Sequence, residues 1–407
     1  MTNQPDNTAA LSRRGALLAM AGGLATLAGC GGGGAAGAVT SVISGLSSGG
    51  TGSFTTGTIA GLGSIIVNST RYDDASAQVS RSDDGVVGSL RPGMVVYVQA
   101  SPITASTGGD ALPTATANRI AYASEWVGPV GAVDTVARTL TVLGQTVDVP
   151  ATAVFEDVAG LSAVRPGQFV EVHGYLNLAN GHLLATRVEV SNTAPGAFRI
   201  SGQVSGLNTT TRTFSLGTAL IGYDTTTALP SGWANGLLVR VSVAPTQVGG
   251  LWRATRIRDR ESQLADLQVE DRAESELKGT VTSLDGTNLF KVNGITVDSS
   301  TAQVSGTVAL GVAVEVHGAV RNGVIVATRV EVENDEGLQV QEFDFFGTVS
   351  NLNVVTQTFT VRGVNFTYNA NTRNEVPNWT TGATPSVRVR ASLIAGQWVA
   401  SRIRLQS

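Results

Sequence analysis

Cysteine is nearly absent from this chain: Cys30 is the only one in 407 residues. A single thiol closes no intrachain disulfide, so stability has to come from apolar packing. Lysine is almost as rare, with Lys278 and Lys291 the only two, and arginine supplies the other basic residues. That imbalance reads as genomic composition bias before it reads as function. Histidine is limited to His173, His182 and His317, which leaves little material for a metal centre or a general base. Charged residues make up only 14% of the chain and the formal charge is −4, too acidic a surface for nucleic acid to be an expected partner. No apolar run is long enough to cross a bilayer as a helix. The best candidate, Gly15 to Gly29, is diluted by glycine and alanine and falls short of the roughly 20 residues required. Beyond residue 30 no segment keeps a helical period.

The short apolar run has another meaning. It follows Arg13-Arg14 and ends in Leu27-Ala28-Gly29-Cys30. A basic start, a short apolar stretch and small residues before the cut describe a secretory signal over residues 1–29, and a cysteine at the cut resembles the lipobox of bacterial lipoproteins. The expectation is a chain exported and acylated on Cys30, held to the membrane by its lipid, since each buried methylene is worth about 0.8 kcal/mol. Ser12-Arg13-Arg14 with Leu17-Leu18 also resembles the twin-arginine export pattern, with Ala16 in the place of its usual aromatic residue, so twin-arginine and general secretory export both stay open. Gly31 follows the cysteine in place of an inner-membrane retention aspartate and favours the outer membrane of a Gram-negative bacterium. Removing residues 1–29 takes away Arg13, Arg14 and Asp6 and leaves a charge of −5. Residues 30–53, rich in Gly, Ala and Ser, read as a flexible tether.

What the rest of the chain has is repetition. A closing phrase recurs at Ala117-Asn118-Arg119, Ala185-Thr186-Arg187, Ala254-Thr255-Arg256, Ala327-Thr328-Arg329 and Ala400-Ser401-Arg402, its arginines 68, 69, 73 and 73 residues apart. Each has an opening partner, a Gly-x-Ile/Val at Gly57, Gly128, Gly202, Gly279 and Gly347. Five β-modules follow, over 54–124, 125–193, 197–262, 275–334 and 341–407. Inside each the period is two, the mark of strands. In the fourth, Phe290 and Val292 alternate with polar neighbours, Asn293-Gly294 supplies a two-residue turn and Ile295 and Val297 continue on the return strand. Val314-Glu315-Val316-His317-Gly318 predicts a fourth strand, matched by Val170-Glu171-Val172-His173-Gly174, and the Ala-Thr-Arg phrase a fifth. The fold expected is all-β: a tandem array of five small OB-like five-stranded β-barrels, closed so that no edge is left to aggregate. Units of about 65 residues bury only about 60% of their unfolded surface, so sequence neighbours, such as modules four and five, are expected to support one another.

The aligned phrases resemble an uncharacterised family of bacterial lipoproteins built from repeats of a domain of unknown function. The carrying residues are Gly57 to Asn68, Leu90-Arg91-Pro92-Gly93-Met94-Val95-Val96, the two Val-Glu-Val-His-Gly strands and the Ala-Thr-Arg-Val phrases. The resemblance implies a small barrel fold and an extracytoplasmic location, and it offers no activity. Modules one, three and five depart from it, lacking the Glu and His-Gly.

Chemistry is thin. Gly45-Leu46-Ser47-Ser48-Gly49 fits a nucleophile-elbow pattern and Gly32 to Gly37 a dinucleotide pattern, but both lie in the tether, away from the strand and helix those motifs need. Glu171 with His173, and Glu315 with His317, share strand faces and lack a third ligand at suitable spacing, so they read as polar residues on an outward barrel face, and no metal or cofactor is expected. The acidic stretches 261–276 and 331–344 read as solvated connectors. Alternation leaves Glu171 and Glu315 outside, where each meets Arg187 or Arg329 if the strands pair antiparallel. Modules three and five put Arg240 and Arg388 in place of those glutamates, beside Arg256 and Arg402, so these four arginines are the candidate ligand-binding residues for an acidic partner. The function expected is a lipid-anchored envelope binding or structural scaffold protein, not an enzyme, whose candidate partners are the membrane, an envelope glycan, an anionic lipid or a protein. The alternative is an enzyme, or a subunit of an envelope assembly, with a site formed between modules.

Overall fold

A computed structural model describes residues 52–83, 85–106, 111–260 and 270–406. The signal segment, Cys30 and nearly all of the tether lie outside the described residues.

Module four shows the plan. Its five barrel strands are Arg272–Leu284, Leu289–Val292, Ile295–Asp298, Ala313–Arg321 and Val324–Glu333, and a short extra strand, Gln303–Ser305, runs parallel to the last of them. The first pairs with the second and the fourth, the second with the third, and the fourth with the fifth, all antiparallel. The third then pairs in parallel with the fifth. Every strand has two neighbours, so the sheet closes on itself in the strand order of an OB barrel. The other four modules repeat this circuit, each with its third strand parallel to its fifth. All-β architecture in small closed five-stranded barrels is therefore what the chain builds.

Local chemistry explains the pieces. Asn293 and Gly294 both take positive φ, 49° and 85°, which the two-residue turn between the second and third strands demands. Alternation sends Val292, Val297, Val314, Val316 and Val330 into the interior, where all are fully buried. Each is worth roughly 1.5–3 kcal/mol of transfer free energy. The closing phrase proves to be a β-bulge. His317 lies opposite Arg329 and Gly318 opposite Ala327, so Thr328 is the extra residue. The same slip leaves over Asn118, Thr186, Thr255 and Ser401 in the other modules. The extra hydroxyl donates back across the ladder, from Thr255 to Ser242 O at 3.1 Å, from Thr328 to His317 O at 3.2 Å and from Ser401 to Arg390 O at 3.3 Å. Bulges bend and twist the strand that carries them, which a five-stranded barrel needs in order to close.

The modules do not join in sequence order. The first strand of module one, Ser53–Leu62, runs parallel to the first strand of module four from Ser53 opposite Glu274 to Thr56 opposite Leu277. Its far end pairs with the first strand of module five, Phe343–Asn353, through Gly61 with Asp344 and Leu62 with Phe345. Modules one, four and five thus share one hydrogen-bonded sheet of 18 strands, and modules two and three share another of 11. Support between sequence neighbours alone is not what holds the chain. A first strand longer than its barrel requires leaves backbone groups unpaired at its ends, and another module's strand satisfies them. Val95, Tyr175, Leu184, Ala313 and Leu338 form an apolar cluster drawn from modules one, two and four and from the 331–344 stretch. That stretch is accordingly more than a solvated connector: Leu338 and Phe343 are buried, and Asp344 holds an arginine.

Candidate functional site

The arginines come first. The bulge shifts the register, so Glu171 faces Glu189 and Glu315 faces Glu331, and the expected pairs of Glu171 with Arg187 and of Glu315 with Arg329 do not form. Arg187 instead pairs with Glu189 at 2.7 Å and with Glu156, and Arg329 with Glu331. Arg240 is buried, 3.1 Å from Ser201 Oγ and 3.2 Å from Glu125. Arg388 is also buried, donating to both oxygens of Asp344 at 2.6 and 2.7 Å with its guanidinium over the Phe346 ring. Arg402 pairs with Glu375 at 3.0 Å, and Arg256 lies opposite Ser242. The carboxylates that answer Arg240, Arg388 and Arg402 come from the connector just ahead of module two's first strand, from a first strand and from a loop within module five, so counting along the fourth and fifth strands did not find them.

The outward faces of Glu171 and His173 are covered. Arg81 and Asp83 of module one and Arg199 of module three close over them, Arg81 bonding Asp83 at 2.5 Å and Glu171 at 2.7 Å. His173 is fully buried, its Nδ1 3.2 Å from Ala123 O. Burial would raise the Asp83 carboxyl, but Arg81, Arg199 and the Ser124 hydroxyl hold it well below the usual carboxylate range. Burial is likewise outweighed at Glu125, where Arg260 at 2.5 Å and Arg240 hold the carboxyl down to about 2. These knots are internal, and each joins residues of different modules.

In module four the sequence pair gains a third member. Glu276 on the first strand lies directly opposite His317, and a ligand atom from each of Glu276, Glu315 and His317 falls within 4.8 Å of the others. His317 Nε2 is 2.8 Å and Lys278 Nζ 2.7 Å from Glu315. Burial, and then the charge of Glu315, push Glu276 up to about 7. Against the burial penalty, His317 and Lys278 hold Glu315 down to about 2, and the hydrogen bond that His317 donates to Glu315 raises His317. The grouping could offer two carboxylates and an imidazole to a cation, with the Lys278 ammonium already seated on one of them. The third residue was invisible in sequence because it arrives across a non-local strand pair.

Two clefts open between modules. One of about 350 Å³ lies between modules two and three and includes Pro129, Leu143, Thr218 and Trp252. The larger, about 680 Å³, has the second and third strands of module five, Thr358–Val361 and Val364–Thr367, as its floor, with Gln397 and Trp398 beside them and Arg91, Glu156 and Arg187 opposite. Arg240, Arg256, Arg388 and Arg402 line neither cleft.

The fold and this geometry define a class: a body of OB-like barrels whose concave surface lies between modules. Within that class, the sequence model of a family described as Domain of unknown function (DUF5666) matches residues 127–189, 278–331 and 346–404, which fall in modules two, four and five. The chain is similar to a tandem-repeat family whose function is not known. No curated protein matches. Among solved structures, the chain titled "drosophila Unr CSD456" is 16% identical over 51% of this chain and 96% of its own, at a TM-score of 0.14. That score is too low for the likeness to carry an argument.

Proposed function

We propose that this protein is an exported, lipid-anchored envelope protein that acts as a binding scaffold. The observation that carries the reading is the cleft of about 680 Å³, which is assembled from modules one and two and the sequence-distant module five, so that ordering the barrels creates a surface none of them has alone. The Leu-Ala-Gly-Cys30 ending of the signal segment supports the anchor. Acyl chains on Cys30 would hold the barrels at the membrane, with the outer membrane as the proposed site. Metabolic labelling with palmitate and detergent phase partitioning test the anchor: wild type should take up label and enter the detergent phase, and Cys30→Ser should do neither. Equal labelling and retention of the two would overturn it. For the scaffold role, the purified Cys30→Ser protein should sediment saturably with isolated envelopes, and failure to sediment would count against it.

A further inference from the structure

We propose that the cleft between modules one, two and five is a binding site for an uncharged, hydroxyl-rich glycan chain. The proposal rests on the binding-scaffold reading and names its ligand class. Three observations carry it.

The floor carries no charge. Thr358, Thr360, Asn365 and Thr367 come from the outward sides of the two strands, with Asn351 and Gln397 at the edges. These are hydroxyls and planar amides, each able to donate and to accept, as the vicinal hydroxyls of a sugar require. Thr360 Oγ1 donates to Asn365 Oδ1 at 2.9 Å, which leaves the Asn365 amide nitrogen to the cleft. Asn365 and Gln397 are both exposed. Behind the floor, Trp398 lies opposite Phe366 and packs edge-on against Phe343 at 4.9 Å and Phe345 at 5.2 Å, so the barrel wall that carries these groups is braced before anything binds, at little cost in ordering the site. The charges on the opposite wall are balanced. Arg187 is held by Glu156 and Glu189, and Arg91 lies 4.0 Å from Glu156. A polyanion would find few open cations here, and a neutral chain meets no uncompensated charge. The volume, about 680 Å³, falls in the range of ligand sites, and the second and third strands of an OB barrel are the face on which such barrels take extended polymers.

The test is calorimetric titration of the purified Cys30→Ser protein with chitohexaose, cellohexaose and maltohexaose, and separately with vesicles of phosphatidylglycerol. At least one hexasaccharide should bind saturably. The double variant Asn365→Ala/Gln397→Ala should weaken that binding at least tenfold, and Val136→Ser, at an exposed site in module two, should leave it unchanged. Both altered side chains are exposed, so the fold should survive, and an unchanged melting temperature checks this. Silence from all three sugars overturns the proposal. So does sugar binding indifferent to the double variant, and so does vesicle binding without sugar binding, which would assign the cleft to a lipid headgroup. Envelope sedimentation is read independently: sedimentation without sugar binding rejects the glycan and keeps the scaffold, and loss of both rejects both.

Discussion

At the scale of single residues, Glu276 sets a measurable pH dependence. Its ordinary value is 4.5 and its folded value about 7. Below 4.5 both folded and unfolded chains hold the proton, and this residue makes no difference between them. From 4.5 to about 7 only the folded chain holds it, so stability falls as pH rises, and above that range the loss is complete. His317, raised above 6.5, adds a contribution that is present in acid and is lost as pH rises through its folded value. Glu315, lowered to about 2, acts on the other side: its contribution is present above 4.5 and lost as pH falls toward 2. Glu276→Gln removes the first effect. The variant should match wild type at pH 4 and exceed it at pH 8 by about 1–2 kcal/mol, after allowance for partial exposure. Urea unfolding at the two pH values measures this, and an equal offset at both would show that Glu276 is an ordinary carboxylate. His317 and its neighbours were legible as a face-sharing pair, but the partner that shifts them was not, because no local spacing links residues 276 and 317.

At the scale of elements, the closing phrase and the His-Gly strand are two halves of one bulge. A Cβ on Gly174 would run into Leu184 O, and one on Gly318 into Val326 O. These glycines therefore mark a close approach of two backbones and require no ligand to explain them. Ala100, Val243 and Ala391 take the corresponding register position in the other modules, where a small apolar side chain is buried. Gly318→Ala should destabilise the protein by roughly 1–3 kcal/mol, as overpacking does. Ala391→Gly, which introduces no overlap, should cost less, through backbone entropy and the loss of one buried methyl. Chemical denaturation of the two variants decides the point, and equal losses would remove the steric argument. The repeated Ala-Thr-Arg phrase was fully legible. Its role was not, since a bulge is a relation between two strands and the phrase lies on only one of them.

At the scale of the whole molecule, module one is the hub. Its first strand pairs with both module four and module five, and Ile59 in that strand is fully buried. Ile59→Ala should cost about 2–5 kcal/mol in module one. Through the shared strand it should also weaken hydrogen-exchange protection at Leu277 and Phe345, the partners of Thr56 and Leu62. If the loss of protection stays within residues 53–122, the modules behave as independent beads and the shared sheet contributes little.

The amino-acid sequence by itself determined the strands, the turns and the closure of each barrel. Alternation with period two and the Asn-Gly turn act over a few residues, and a five-stranded barrel then has few ways to seal its edges. The proposed export signal over residues 1–29, with Cys30 at its end, likewise rests on the sequence alone. Only the tertiary structure decided which modules meet. The surfaces of Glu171 and His173, polar by composition, went inside because Arg81, Asp83 and Arg199 arrive from other barrels with matching charge. The cleft over Asn365 and Trp398 exists for the same reason. Local patterning cannot encode such meetings, because the free energy that selects them comes from pairing and burial between segments of different modules.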